Sequence, residues 1–419
     1  MDAAWWRIHI DEVKAAFAGQ LLTSAAHCFG ATRIGTDEFP NSGAGAIASA
    51  VRFGAKRIIL LGYDCQHTNG KTHWHGKHPA GLGDAGTVER WPGHFKALAK
   101  RLDGVKVVNC SRETALTCFP RADLGKTLDE ARKRVVVRGM RGLGDCIYQR
   151  AFIRRLDADV YLDTPWPELF ADLRNVQCVK PETRLRTQRK NARSSAYQWA
   201  AEPRDAPVLC VGYGHRELRV GSIPSAMARQ FGVSDPVFDL PDFGPSPIRS
   251  RKPVAIVRPV TARKEWLNTA RNPKPEYVAK AAAELRERGY YVVSLADLEA
   301  GEEWIVGNPP PADLVWHRGE LNVAQMLAAV QQAAVVVGGV GWIVPACISA
   351  KVPLYCILGG NLGHNAPEKI TDSRMMGLSR VGWAWPDRPC RCTDMQHDCK
   401  KEISGFEEKF SRWLDEMGL

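Results

Sequence analysis

KRVVVRGMRGLGDCIYQRAFIRR, residues 133–155, sets a short apolar strand, a glycine-rich turn closing on Asp145 and an arginine-studded helix in immediate succession. Such a turn seats a reacting group over a helix N-terminus, where backbone N–H groups favour negative charge and a lone carboxylate can point into a cleft. Asp145 is therefore the candidate catalytic base, although an aspartate at this position also serves as a helix cap.

The same alternation of β-branched runs with helical patterns extends in both directions. Upstream, AGAIASAVRFG (44–54) leads into RIILLGYD (57–64), and HFKALAKRL (94–102) into VKVVN (105–109). Downstream, DVYLDT (159–164) and PVLCVGYG (207–214) follow the opening strand; then come VAIVRP (254–259), YVVSLA (291–296), VVVGGV (335–340) and PLYCILGG (353–360), with EYVAKAAAELRERG and NVAQMLAAVQQA as helices between them. Alternation of this kind predicts an α/β protein with parallel sheets and right-handed crossovers. Ligands of such sheets bind beyond the carboxyl ends of the strands, so the glycines closing VVVRG, VVVGG and CILGG mark an expected crevice, unless they are ordinary tight turns. Breaker- or charge-rich stretches at 120–132 and 241–253 read as linkers. They delimit segments 1–125, 133–250 and 251–402, and 403–419 follows as an amphipathic helix expected to pack across a domain boundary.

With 419 residues, 45% hydrophobic and 25% charged, the chain has the balance of a globular protein with room for several cores. No apolar run reaches membrane-spanning length and the N-terminus lacks a secretory pattern, so the expectation is a cytoplasmic protein whose twelve cysteines are mostly reduced. The net charge of +11 is unevenly placed: residues 131–252 hold 22 basic against 13 acidic residues. A basic surface confined to one segment suits an extended acidic partner, nucleic acid first, or a solvated charged face.

From residue 133 onward the order of features resembles the two-domain GT-B glycosyltransferases, and within them the lipopolysaccharide heptosyltransferase family. GLGDCIYQRAFIRRL (142–156) looks like that family's glycine turn and GD motif, whose aspartate is the base; the role maps onto Asp145. VAIVRPVTARKEW (254–266) looks like the strand and basic loop opening the nucleotide-sugar domain, which maps Arg258, Thr261 and Lys264 to the donor. The stretch from His317 to Gly360 is similar to the family's run from a small helix through the phosphate-binding turn to the final strand. There the chain departs from the family, with Gly339 and Val344 where an aspartate and a histidine are usual. Donor contacts are then expected from the backbone of Gly339, Val340, Gly341 and Trp342, with help from Arg263, Arg318, Asn361, His364 and Asn365. The resemblance implies a GT-B-like pair of Rossmann-like domains with an additional N-terminal Rossmann-like α/β domain. It further implies transfer of a hexose or pentose from a nucleotide diphosphate sugar, a UDP-sugar in expectation, to a hydroxyl acceptor, in a scheme that requires no catalytic metal.

The first 120 residues resemble phage-borne proteins related to bacterial sialyltransferases and to the pterin diphosphokinase-like family. NSGAGAIASAVRFGAKRIILLGYD (41–64) and HTNGKTHWHGKHP (67–79) carry the likeness, which places Asn41, Ser42 and Gly43 around a nucleotide and Asp64 at a strand end. The opening glycine-rich βα unit of those families is absent, so this domain is expected to be a truncated one with a structural or acceptor-holding role.

Two clusters have metal-ligand chemistry. His73, His75 and His78, with Cys65 and His67 upstream, could converge on a transition metal or simply hydrogen-bond. PCRCTDMQHDCKK (389–401) presents Cys390, Cys392, His397 and Cys399 as a structural zinc knot or as reduced structural cysteines.

RLRTQRKNARSSAYQWA (184–200) gathers Arg184, Arg186, Arg189, Lys190 and Arg193, followed by Tyr197 and Trp199. Guanidinium groups grip phosphates and aromatic rings stack on exposed bases, so this strip, with Arg141, is the expected acceptor surface. The favoured acceptor is a hydroxymethylated pyrimidine such as 5-hydroxymethylcytosine in phage DNA, extruded from the duplex to reach the donor. The alternatives are a glycan or lipid-linked acceptor, or a nucleic-acid- or nucleotide-binding protein without catalysis.

Overall fold

The computed structural model describes residues 3–23, 27, 29–34, 41–68, 70, 87–131 and 133–419. The chain forms two compact units, Met1–Arg132 and Lys133–Leu419.

The first unit contains α1 (Ala3–Ala16), β1 (Leu22–Thr23), β2 (Thr32–Arg33), α2 (Ser42–Arg52), β3 (Arg57–Leu60), α3 (Trp91–Ala99), β4 (Lys106–Asn109) and α4 (Leu124–Ala131). Its strands pair as two parallel ribbons, β1 with β2 and β3 with β4. A small core of Ala44, Ile47, Leu60, Phe95, Leu98, Val107, Leu116 and Phe119 lies between α2, α3 and the β3–β4 ribbon.

The second unit is built on two parallel sheets. The first comprises β5 (Arg134–Arg138), β6 (Asp159–Asp163), β7 (Val176–Val179) and β8 (Val208–Cys210), ordered β7-β6-β5-β8, with helices α5 (Leu143–Ile153), α6 (Arg186–Ser194), α7 (His215–Val220) and α8 (Ile223–Phe231). The chain then runs through β9 (Val254–Val257), β10 (Thr261–Arg263), α9 (Pro275–Glu287), β11 (Tyr291–Leu295), β12 (Glu303–Ile305), β13 (Leu314–Trp316), α10 (Val323–Gln331), β14 (Val335–Gly339), α11 (Ile343–Ala350), β15 (Leu354–Ile357), α12 (Leu362–Asn365), α13 (Pro367–Ile370), β16 (Val381–Ala384) and α14 (Phe406–Met417). Six of these strands form the second sheet, ordered β13-β11-β9-β14-β15-β16, and β10 pairs antiparallel with β12 beside it. The fold is therefore α/β with parallel sheets, as the alternation of strand and helix patterns implies.

Strands covered on both faces must be apolar throughout, and the central ones are: Val335, Val336 and Val337 are fully buried, as are Ala255, Ile256 and Val257. These were among the strands readable in the sequence. The edge strands β7, β13 and β16 carry Gln177, Trp316 and Gly382 within four-residue or shorter runs and offer little pattern to read. In α14, Phe406, Phe410, Trp413 and Leu414 are buried and pack with Tyr277 and Tyr355 of the six-stranded side. Arg288 completes the contact through Asp415 and Ser411. The helix thus seals the outer face of one sheet, where its amphipathic pattern had suggested packing across a boundary.

Both sheets reverse their direction of growth once, and these points place the site. In the first, β5, β6 and β7 are laid down outward before β8 returns to the other side of β5; in the second, β14 returns to the other side of β9. At such a switch point the loops leaving the two adjacent strands diverge and open a crevice. The loops in question are 139–142 and 211–214 in one sheet, and 258–260 and 340–342 in the other.

Candidate active site

Asp145 lies in the first turn of α5, behind Gly142 in extended conformation at the N-cap. The turn is closely fitted: a Cβ on Gly142 would lie 2.5 Å from Asp145 Oδ2, and one on Gly139 would coincide with the Gln149 amide. That amide donates to the carbonyl of Met140 at 2.6 Å and holds the turn against the helix. From the neighbouring loop after β8, the Tyr213 hydroxyl donates to Asp145 Oδ1 at 2.7 Å. Burial of the carboxylate pushes its pKa up to about 6, while the Tyr213 hydrogen bond and the charge of Arg271 oppose the rise. A carboxyl poised there is ionised at neutral pH and basic enough to take a proton from a hydroxyl as that hydroxyl reacts.

The facing half supplies cations without counter-ions. Arg258 leaves the end of β9 and lies over the Trp342 ring, its guanidinium carbon 5.0 Å from the centroid. Arg271 and Arg263 lie over Trp266 at 4.6 and 5.6 Å. Among the described residues none of these three arginines forms an ion pair, and Arg271 Nε is buried without a hydrogen-bond partner. Burial and mutual repulsion push the pKa of Arg258 and of Arg271 down to about 10, so both keep their charge at neutral pH. Aromatic faces offset part of the cost of holding such cations away from water. Beside them the amides of Val340, Gly341 and Trp342 precede α11 and, among the described residues, donate to no protein acceptor. Gly341 matters sterically: a Cβ there would sit 3.3 Å from the Arg258 guanidinium. Three guanidiniums and a turn of free amides form a setting for a multiply charged anion.

The two halves meet at Gly144, where a Cβ would lie 3.1 Å from Trp342 Cα and 3.3 Å from Pro345 Cγ. This contact brings the first turn of α5 against the turn that opens α11. The Tyr148 hydroxyl also donates to the carbonyl of Ile370 at 2.5 Å, and Ser222 Oγ donates to Asp372 Oδ2 at 3.0 Å. His364, on α12, has Nε2 3.1 Å from Nδ1 of His215, which opens α7.

The remaining sequence candidates are distributed as follows. Thr261 and Arg263 share β10, and the carbonyl of Thr261 accepts from Asn272. Lys264 is exposed and turned toward Glu302, 3.5 Å away. Gly339 ends β14 in register with Ile357 and is covered by Pro273, so the free amides begin one residue later. Asn365 turns back onto Asn361. Arg318 is exposed and its backbone pairs with Asp297, whose carboxylate receives Lys190 and Arg186.

The basic strip differs from its sequence reading for a reason of charge. Arg186 binds Asp297 and Glu303, Lys190 binds Asp297 at 3.0 Å, and Glu265 receives the Arg186 amide at 2.9 Å, so α6 is docked onto acidic residues of the facing half. Arg141 makes a two-point contact with Asp163 at 2.9 and 2.6 Å. Tyr197 takes the Cys178 amide on its hydroxyl and packs edge-on against Trp199. Arg184, Arg189 and Arg193 remain exposed.

In the first unit Asn41 caps α2 by accepting from Ala44, and its amide approaches His94 at 3.2 Å. Tyr63 donates to the carbonyl of Gly43, and the carbonyl of Asp64 accepts from Ala115. Cys65 is buried, which pushes its thiol up to about 11. His73, His75 and His78 lie outside the described residues.

Cys390, Cys392, His397 and Cys399 do come together, with all four potential ligand atoms within 4.8 Å of one another. Cys392 and Cys399 sulfurs are 3.5 Å apart, and His397 Nδ1 is 3.5 Å from Cys390 and 3.3 Å from Cys399. A tetrahedral zinc with sulfur at about 2.3 Å and nitrogen at about 2.0–2.1 Å has ligand edges of about 3.5–3.8 Å, so the set fits with small adjustments.

Tyr213, Arg271 and His215 were not singled out from sequence. Tyr213 and His215 sit at the end of a recognised strand, in GYGH, where the switch-point rule could have found them. Arg271 lies in the irregular run TARNP, which carries no motif.

No family model and no curated protein matches the chain. Among solved structures it is similar to the dodecameric iron-containing heptosyltransferase TibC of enterotoxigenic E. coli, determined with ADP-D-β-D-heptose: 15% identity over 69% of this chain and 79% of that one, TM-score 0.44. It is also similar to a glycosyl transferase family 9 protein from Veillonella parvula, at 11% identity over 68% and 97% of the two chains, TM-score 0.44. The E. coli ADP-heptose lps heptosyltransferase II matches at 11% identity over 68% of this chain and 100% of its own, TM-score 0.39.

Proposed function

We propose that Lys133–Leu419 is a glycosyltransferase that moves a sugar from a nucleoside diphosphate sugar to a hydroxyl group. The observation that carries this reading is the set of three arginines without carboxylate partners, Arg258, Arg263 and Arg271, stacked on Trp342 and Trp266, of which Arg271 exerts its charge on the Asp145 carboxylate at the facing switch point. In the reaction the acceptor oxygen bonds to the anomeric carbon while its proton passes to Asp145. The bond from that carbon to the diphosphate breaks with its electron pair on the leaving phosphate, where the arginines and the amides of 340–342 stabilise the charge. Tyr213 keeps the Asp145 carboxylate oriented and ionised. The Cys390, Cys392, His397 and Cys399 set would hold zinc as a structural metal.

The donor is read as a UDP-sugar and the acceptor as a hydroxymethylated pyrimidine in DNA, supported by exposed Arg184, Arg189 and Arg193. A second reading, a glycan or lipid-linked acceptor, gains support from the engagement of Arg186, Lys190, Tyr197 and Trp199 within the protein, which leaves a smaller cationic surface and no free stacking ring on that strip. Incubation with UDP- and ADP-sugars and either hydroxymethylcytosine DNA or oligosaccharides, followed by mass spectrometry of the products, should show sugar addition to one acceptor class. No addition with any donor would remove the proposal; addition to oligosaccharide alone would remove the DNA acceptor.

A further inference from the structure

Residues 390–399 fold back from β16 onto two segments that build the site. On one side Met395 offers its carbonyl to the amide of Ala270 at 2.9 Å, and Lys401 Nζ donates to the carbonyl of Thr269 at 2.8 Å. On the other, the carbonyls of Cys390 and Cys392 accept the amides of Leu362 and Gly363 at 3.0 and 3.1 Å, and Asn361 Nδ2 donates to the carbonyl of Asp394 at 2.9 Å. The two clamped segments are joined in turn, since Gly360 donates to the carbonyl of Ala270 at 2.7 Å.

These contacts leave no slack. A Cβ on Gly360 would lie 2.1 Å from Cys399 Sγ, and one on Gly363 would meet Thr393 and the carbonyls of Arg391 and Cys392 within 2.8 Å. A Cβ on Gly359 would be 2.4 Å from the carbonyls of Arg271 and Asn272. Arg271 follows Ala270 directly, and His364 follows Gly363. Arg271 belongs to no helix or strand, and no carboxylate holds its guanidinium. Its guanidinium rests on the Trp266 face, so its placement depends on that ring and on the backbone on which it is mounted; that backbone is held at Arg271 by Asn268 and at Thr269 and Ala270 by the loop that carries the cysteine–histidine knot.

We infer that the knot, loaded with a transition metal, is a positioning element for donor binding: it fixes Arg271 over the leaving diphosphate without any metal contact to the donor. The inference rests on the transferase reading above, in which Arg271 meets that diphosphate. Four thiolate and imidazole ligands on one short loop bind a metal tightly, and a bound metal rigidifies whatever the loop is hydrogen-bonded to.

The test uses the full chain, loaded with zinc to a stoichiometry checked by elemental analysis, or stripped by chelator. Binding of UDP and ADP is measured by calorimetry, folding by circular dichroism, and amide exchange at Ala270, Gly360, Leu362 and Gly363 by mass spectrometry. Stripping should retain the α/β spectrum, expose those four amides and weaken nucleotide binding about tenfold or more, the loss expected for a misplaced charge-assisted contact. Arg271→Ala in the loaded protein should weaken binding by a similar factor and add little in the stripped protein. Equal binding with and without metal, or losses that multiply, would overturn the inference. Should the stripped chain unfold, Lys401→Met, which keeps all four ligands but removes the bond to Thr269, must weaken binding several-fold at full metal occupancy. Unchanged binding in that variant would overturn the inference just as firmly. A loaded protein that binds neither nucleotide sinks the transferase reading and this inference with it.

Discussion

At the scale of single residues, Asp145 sets the pH behaviour. Its folded-state pKa of about 6 lies above the ordinary carboxylate value, so the folded protein loses stability as pH rises through the interval from about 4 to 6 and the group ionises. The ionised form is the one that accepts a proton, so activity should instead rise over the upper part of that interval and level off near pH 7. Asp145→Asn should abolish transfer, leave donor binding nearly intact and stabilise the protein at pH 7 by on the order of 1–2 kcal/mol. Thermal unfolding alongside single-turnover assays checks both halves of that expectation; a destabilised but active variant would show that the carboxylate is a cap. Tyr213→Phe removes a hydrogen bond that favours the carboxylate, so the acid limb of the rate profile should move to higher pH while the plateau rate changes little. An unmoved limb would mean that Tyr213 has no hold on the base. The place of Asp145, in the first turn of a helix behind a glycine turn, was legible because those two signals adjoin in the sequence. Tyr213 was not, because its partner is 68 residues away and only the sheet order brings them together.

Among the elements, α6 shows how a charge pattern misleads when its partner is distant in sequence. Five cations within ten positions read as a phosphate grip, yet the acidic residues that meet two of them lie beyond residue 290. The consequence can be measured. Arg186→Ala leaves the Glu303 carboxylate, only 8% exposed, without its partner and should cost about 3 kcal/mol of stability. Exposed Arg189→Ala should change stability by no more than about 0.5 kcal/mol. If DNA is the acceptor, Arg184, Arg189 and Arg193 replaced together by alanine should flatten the salt dependence of DNA binding; an unchanged slope would take this helix out of the acceptor surface. Gly144→Val is the corresponding test of the contact between α5 and α11, since its side chain must displace the backbone at Trp342. It should weaken nucleotide binding and stability together. The central strands β5, β9, β14 and β15 were readable from their apolar runs, whereas β7, β13 and β16 needed the neighbouring strand to define them.

For the molecule as a whole, the division at residue 132 places every residue of the proposed site in the second unit. Residues 133–419 expressed alone should therefore unfold cooperatively and bind nucleoside diphosphate as the full chain does, while residues 1–132 should bind none; calorimetry on the two pieces decides it. The repeated strand–helix alternation on either side of that division was visible in the sequence, whereas the stretch 120–132 that reads as a linker holds α4 (Leu124–Ala131). The junction of Thr269–Arg271 with the cysteine–histidine knot was not visible, because it joins segments more than a hundred residues apart through a backbone hydrogen bond, Ala270 to Met395, that no side-chain pattern announces. That junction also bears on biosynthesis. The clamp on Thr269 and Ala270 is made from residues 390–401, which leave the ribosome after both sheets have been translated. On the transferase reading, a nascent or prematurely terminated chain would carry Asp145 and the three arginines without the contacts that residues 390–401 make to Thr269 and Ala270, and should bind activated sugars more weakly until synthesis is nearly finished.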